Sequence, residues 1–167
     1  MTHAVDIYGG SYFQAAALCT QFNVRAANKK SEGAQVAAVL DAAADFLTSV
    51  MPQLTRGYEL QKREPQPYIG YRVSTIVSSK IAGQLAAQAL PGDSLGKVKV
   101  NAGLSTERKL QQISRAFGLA STADAARLAV SVYSTLQNVS ERYGQIYLEK
   151  GQDVKKCPLR RLAKTTL

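Results

Sequence analysis

The sequence predicts an α+β protein in which N-terminal strands, a hairpin and amphipathic helices precede a strand-helix-helix module. Apolar residues recur every three or four positions over 31–51, whereas they alternate with polar residues over 56–77 and 97–102. Turn-forming residues cluster in LPGDSLG at 90–96. A chain of 167 residues is long enough to bury a hydrophobic core without disulfide bonds or bound metals to stabilise it.

The N-terminal segment is predicted to be extended. Two short runs, Val5–Tyr8 and about 18–26, lie on either side of Gly9-Gly10, which we interpret as a turn. A helix should then run from Ser31 to Met51, because its apolar residues recur at helical spacing. Pro52 is expected to end that helix.

A hairpin and a short helix should follow. In RGYELQKREPQPYIGYRVSTIV, residues 56–77, alternating residues flank the turn Pro65-Gln66-Pro67 and predict two strands. An alanine-rich helix is expected over 78–90, stopped by Pro91-Gly92.

The remaining elements are a strand at about 97–102, a helix at about 106–117 and a second helix at about 122–142. Ser105 and Ser121 are the expected N-caps of the two helices. Gly118 is placed to end the first of them in a left-handed conformation.

These elements suggest three regions: 1–92 for folding and self-association, 96–149 as a basic strand-helix-helix module, and 150–167 as a basic tail. The tail holds six Lys/Arg residues and one Asp. Such a composition predicts disorder until an anionic partner orders the tail.

Positive charge is concentrated toward the C-terminus. Residues 1–53 contain three Lys/Arg and four Asp/Glu, residues 54–96 contain five and three, and residues 97–167 contain thirteen and five. The three parts therefore carry net charges of −1, +2 and +8, out of +9 in total. This asymmetry is typical of a chain that meets phosphate, an anionic membrane or an acidic partner, although a solvated basic face is the simpler alternative.

The residue inventory argues against an enzyme, a metal centre or a cofactor. The only histidine is His3, and the two cysteines, Cys19 and Cys157, are far apart in the sequence. No phosphate-binding glycine motif is present. Asp41 and Asp45 form an i, i+4 carboxylate pair that we interpret as part of a solvated helix face.

The stretch Lys97-Val98-Lys99-Val100-Asn101 is the strongest indication of a binding function. Alternation in a strand would place Lys97, Lys99 and Asn101 on one face and both valines on the other. Paired with the same strand of a second chain, it would form a ribbon that fits the major groove, where Lys contacts guanine and Asn contacts adenine.

With the following LSTERKLQQISRAFGL and STADAARLAVSVY, this strand resembles a ribbon-helix-helix DNA-binding domain over about 96–140. The resemblance implies a dimer in which Lys97, Lys99 and Asn101 contact bases. It also implies a phosphate contact at the start of the second helix, near Ser121 and Thr122.

Two other interpretations are open. The order of elements, with YIGYRVSTIV before the second helix and VNAGLST before the last, resembles the SIMPL domain, a self-assembling envelope-associated family. A coat protein that forms a shell or filament around nucleic acid also fits an alanine-rich chain with a basic end.

We therefore expect a non-enzymatic, self-associating protein that binds nucleic acid, DNA rather than RNA, as a regulator or accessory protein. The expected phosphate contacts of the tail are Lys155, Lys156, Arg160, Arg161 and Lys164. No membrane span is predicted, and the location should be the cytoplasm, or the virion for a coat protein.

Overall fold

The computed structural model describes residues 3–22, 31–67 and 70–163, which form an α+β fold. Its strands are β1 (Ala4–Tyr8), β2 (Glu59–Pro65), β3 (Tyr71–Val77), β4 (Lys97–Asn101), β5 (Ile146–Lys150) and β6 (Asp153–Lys156). Its helices are α1 (Gly9–Gln21), α2 (Glu32–Thr55), α3 (Ser79–Ala87), α4 (Leu104–Phe117) and α5 (Thr122–Tyr143), with a 3-10 turn at Asp93–Leu95. The predicted fold class is thereby confirmed.

The predicted lysine strand, β4, pairs with β1 of the same chain. The two strands are antiparallel and form a two-stranded sheet in which Val5 faces Val100 and Ile7 faces Val98. Val5, Ile7 and Val100 are buried, whereas the residues that alternate with Val100 are exposed. The predicted alternation in β4 is therefore confirmed.

The predicted hairpin, β2 and β3, belongs to a larger antiparallel sheet with the strand order β3-β2-β5-β6. Leu60 of β2 faces both Val77 of β3 and Leu148 of β5, and all three side chains are buried. This row of apolar residues attaches the sheet to the helical core.

Helix α5 lies at the centre of that core. It packs against α1, α2, α3 and α4, and against β1. Most of its residues between Ala123 and Tyr133 are buried, as expected for a helix with neighbours on several sides.

The prediction for residues 9–22 was wrong, because Gly9 begins a helix instead of a turn. Ser11, Ala15, Leu18 and Phe22 are buried at helical spacing. The helix starts with two glycines because loop backbone lies against them: a Cβ on Gly9 would come 2.5 Å from the Gly92 carbonyl oxygen. The rest of the predicted run, residues 23–26, lies outside the described residues.

The predicted end of α2 was also wrong, because the helix continues past Pro52 to Thr55. Pro52 is exposed and lies in the last turn, so the one backbone hydrogen bond that it removes is close to the end of the helix. The Thr55 hydroxyl donates to the carbonyls of Met51 and Pro52, each at 3.1 Å.

Among the described helices, α2 alone is long and apolar enough to cross a bilayer, but its apolar side packs on α4 and α5.

The caps of α4 and α5 differ in how well the sequence predicts them. The Ser121 hydroxyl accepts the Asp124 N–H at 3.2 Å, which confirms this N-cap, and Gly118 ends α4 at φ 64°. The prediction for Ser105 was wrong: α4 begins at Leu104, one residue after Gly103, whose φ of 92° favours glycine.

The C-terminal segment is structured through residue 163, so the prediction of a disordered tail was wrong for its described part. β6 pairs with β5, and the Cys157 N–H then donates to the Ile146 carbonyl at 2.9 Å. Cys157 is buried, and Leu159 and Leu162 pack against the core. The pairing of β1 with β4 and of β2 with β5 joins the first predicted region to the second, and the pairing of β5 with β6 joins the second to the third.

Candidate nucleic-acid interface

The outer face of the β1–β4 sheet carries the residues predicted to contact bases. Lys97, Lys99 and Asn101 are all exposed there. Lys99 Nζ lies 3.8 Å from a carboxylate oxygen of Asp6 on β1, and Lys97 Nζ lies 5.5 Å from the centre of the Tyr8 ring. One carboxylate therefore offsets one of the two positive charges on this face.

The start of α5, where a phosphate contact was predicted, already holds a carboxylate. Asp124 lies in the first turn after Ser121 and Thr122, and it accepts a hydrogen bond from the Tyr8 hydroxyl at 3.0 Å. Tyr8 thus brings this helix start close to the Lys97 end of the β1–β4 sheet. The Asp124 charge uses the favourable field of the helix N-terminus and works against a second anion there.

Arg127, a buried residue of α5, contacts three other parts of the chain. The Arg127 side chain is 9 % exposed; its guanidinium lies 2.7 Å from Asp93 and 3.7 Å from Asp124, and it donates to the Ala86 carbonyl at 2.9 Å. The same guanidinium lies 4.1 Å from the centre of the Tyr8 ring. We assign this cluster a structural role, because its contacts join α5 to α3, to β1 and to the 90–96 loop.

Asp93 is held in its charged form. Burial favours the neutral acid, but hydrogen bonds from the Leu90 and Gly10 N–H groups, at 2.8 and 2.9 Å, and from Arg127 outweigh it. The net effect lowers the pKa of Asp93 below its ordinary value. The carboxylate thereby occupies the start of α1, where it accepts the Gly10 N–H.

The second basic region is larger, and we call it the C-terminal basic surface: Lys150, Lys155, Lys156, Arg160 and Arg161. All five residues are exposed. Lys150 of β5 and Lys155 of β6 lie on one side of the sheet, and Lys156 lies on the other side of β6. Arg160 and Arg161 lie in the segment that follows, and every residue of the edge strand β6 is exposed. Lys164, the remaining predicted tail contact, lies outside the described residues.

Sequence reasoning missed a cluster at one end of this surface. Lys150 and Lys155 place their ammonium groups 5.9 and 5.4 Å from the centre of the Tyr58 ring. The Tyr58 hydroxyl donates to Asp153, and this hydrogen bond raises the pKa of Tyr58. Lys150 also donates to the Arg56 carbonyl at 2.7 Å. The pairing of β2 with β5 and of β5 with β6 brings Tyr58 to these lysines, so no local sequence signal identifies it.

The carboxylate pair predicted on the solvated face of α2 has a structural partner. Lys109 of α4 lies 3.2 Å from Asp41 and 3.4 Å from Asp45, and the Thr106 hydroxyl donates to Asp41 at 2.7 Å. These contacts join α2 to α4, so the pair contributes to packing between helices.

The thiols and cavities offer little for chemistry. Burial raises the pKa of Cys157 to about 12 and also raises that of Cys19, which disfavours the nucleophilic thiolate. Within the described ranges, no three His, Cys, Asp or Glu side chains could hold a metal ion. A small cavity of about 70 Å³ adjoins Cys157 and Arg161.

Comparison of the chain with protein-family models, curated proteins and solved structures found no match. The argument for a function therefore depends on the charge, exposure and fixed geometry of the two basic regions.

Proposed function

We propose that this protein binds nucleic acid without catalysis, and that the C-terminal basic surface makes most of the phosphate contacts. The observation that carries the proposal concerns Lys156, Arg160 and Arg161. All three are exposed, and none forms an ion pair within the described part of the chain. Cations that no carboxylate offsets are available to replace the counterions of a phosphate backbone.

We assign the β1–β4 face a secondary role. Lys97, Lys99 and Asn101 are exposed donors on a regular strand, which supports the proposal that they contact base edges. Asp6 repels phosphate at the same place, as Asp153 does 3.8 Å from Lys155 on the C-terminal basic surface. The β1–β4 face has two lysines against five cations on the C-terminal basic surface, so it should contribute less to affinity. Sequence selectivity is the property it would supply.

The dimer expected for a DNA-binding regulator is also part of the proposal. Within the described residues β4 pairs only with β1, so the hydrogen-bonding groups on its other edge have no strand partner. Pairing of that edge with a second copy would extend the sheet and place two lysine faces side by side. Light scattering would report the expected mass of two chains.

The proposal is tested by titrating a labelled random-sequence duplex with single-charge variants at low salt. Lys156→Ala should weaken binding about 3- to 10-fold and reduce the salt slope by about one, because one phosphate contact is lost. Lys80→Ala is the matched control, since Lys80 is exposed on α3 and belongs to neither basic region. Equal losses in both variants would indicate a response to net charge alone and would refute the assignment.

Selectivity is tested on the same assay with a set of defined duplexes and a single-stranded RNA. Lys99→Ala should relax preference among the duplexes, at a cost of about 1–3 kcal/mol on the preferred one. The unmodified protein should bind the duplexes more tightly than the RNA. Equal binding of every sequence would contradict the proposed role as a regulator and would favour a packaging role.

A further inference from the structure

The side chain of Gln137 fixes the backbone on both sides of Arg161. Gln137 lies on α5 and is only 1 % exposed. Its amide nitrogen donates to the Arg160 carbonyl at 2.9 Å, and its amide oxygen accepts the Leu162 N–H at 2.9 Å. The two bonds hold the segment as a neighbouring strand would, although none of the described strands pairs with it at this point.

Apolar contacts reinforce these two bonds. Cys157 is buried and bonded to the Ile146 carbonyl, and Leu159 and Leu162 pack against the core. Between these anchors the side chains of Arg160 and Arg161 are exposed. The segment therefore has a fixed backbone and outward-facing cations.

We propose that Gln137 is a positioning residue that holds Arg160 and Arg161 ready for phosphate, so that this segment binds nucleic acid without a prior ordering step. The inference rests on the proposed function. A flexible basic arm would lose conformational entropy when it bound, and that loss would weaken its affinity. Fixing the backbone beforehand removes this loss without adding any contact.

A positioning residue and a residue that contacts phosphate differ in their effect on the salt dependence of the affinity. Gln137→Met keeps a similar side-chain size but removes both hydrogen bonds. We expect the dissociation constant for a random-sequence duplex to rise about 3- to 10-fold, because the segment must now be ordered on binding. The salt slope should stay unchanged, because the same arginines still reach phosphate. Arg161→Ala, the contact variant, should lower that slope by about one.

Hydrogen exchange on the unmodified protein provides a test that does not depend on a variant folding. The Leu162 amide should be protected in the free protein, because it donates to a buried acceptor. Rapid exchange at Leu162 would refute the idea that the segment is ordered beforehand.

The outcomes distinguish this inference from the proposed function. If the unmodified protein binds the duplex and Gln137→Met binds equally well, or loses slope as Arg161→Ala does, the positioning role is wrong while nucleic-acid binding stands. If the unmodified protein does not bind at low salt, the proposed function fails first.

Discussion

Arg127 and Asp93 are the clearest case of single residues that fix the fold. Their side chains are 9 % and 12 % exposed, and they join the 90–96 loop to α5. A buried pair contributes little compared with a well-packed apolar pair, but loss of one partner leaves the other charge uncompensated. Both residues should therefore be sensitive to substitution even though neither lies on a proposed binding surface.

Asp93→Asn should lower the free energy of unfolding by about 2–4 kcal/mol at neutral pH. Because the folded pKa of Asp93 is lowered, its contribution is present above about pH 4 and is lost as the pH falls through the folded pKa. The variant should therefore lose less stability on acidification than the unmodified protein. Denaturant titrations at several pH values measure this, with the exposed Asp6→Asn as control, expected to change stability by about 0.5 kcal/mol or less. A similar cost for both variants would contradict the assignment.

Gly10 and Gly33 offer a matched pair of glycine substitutions. A Cβ on Gly10 would lie 2.4 Å from an Asp93 carboxylate oxygen and 2.6 Å from the Leu90 Cβ, so Gly10→Ala should cost about 1–3 kcal/mol. At Gly33, in the first turn of α2, a new Cβ would have no atom of the described residues within 4 Å apart from its chain neighbours and the backbone of its own helix. Gly33→Ala should therefore be neutral or stabilise by about 0.5 kcal/mol. Urea denaturation of both variants would show opposite signs. Equal destabilisation would mean that the close packing of α1 on the loop is wrong.

At the scale of elements, the sequence predicted the strands and helix ends that depend on neighbouring residues. β4 follows from strict alternation, and the start of α5 follows from Ser121 and its bond to the Asp124 N–H. The β2–β3 hairpin was likewise evident from alternation about a proline-rich turn. Each of these depends on residues close together in the sequence.

Elements that depend on distant residues were missed. Gly9-Gly10 has the composition of a turn, and only the 90–96 loop packed against it explains why a helix starts there. The C-terminal segment has the composition of a disordered tail, and its order comes from Gln137, more than twenty positions earlier. The C-terminal basic surface was predicted only in part. Its cations are recognisable in the sequence, whereas Tyr58 and Gln137 approach them only in the folded chain.

The C-terminal segment should stabilise the whole fold. Removal of residues 157–167 takes away the packing of Cys157, Leu159 and Leu162, and we expect the free energy of unfolding to fall by about 2–4 kcal/mol. Arg160→Ala should change it by less than about 0.5 kcal/mol, because that side chain is exposed. Thermal denaturation of both variants provides the measurement. A truncated protein as stable as the full chain would show that the segment does not pack as described.

At the scale of the whole molecule, one hydrophobic core connects the first and last parts of the chain. The cluster of buried residues includes Val5 near one end and Cys157 near the other, and both sheets pair strands from distant segments. We expect a single cooperative unfolding transition, with coincident loss of far-ultraviolet and near-ultraviolet circular dichroism. Fragments 1–92 and 96–167, made separately, should each lack stable structure. A folded 96–167 fragment would show that the basic part is an independent domain.

The charge of the molecule is also distributed on this scale. Inside the fold, the positive charge of Arg127 is neutralised by its ion pair with Asp93. The five cations of the C-terminal basic surface, in contrast, are exposed. The protein thus combines a fixed scaffold with a cationic surface, which is the arrangement that favours binding to a phosphate backbone.

The most direct test of the central claim is the affinity of the unmodified protein for a random-sequence duplex, measured between about 50 and 200 mM salt. Nucleic-acid binding through the C-terminal basic surface predicts a linear fall of the logarithm of the association constant with the logarithm of salt concentration. Its slope should lie between about −2.7 and −4.5, since each of three to five contacts contributes about −0.9. Absence of binding at the lowest salt, or an affinity that does not change with salt, would contradict the account.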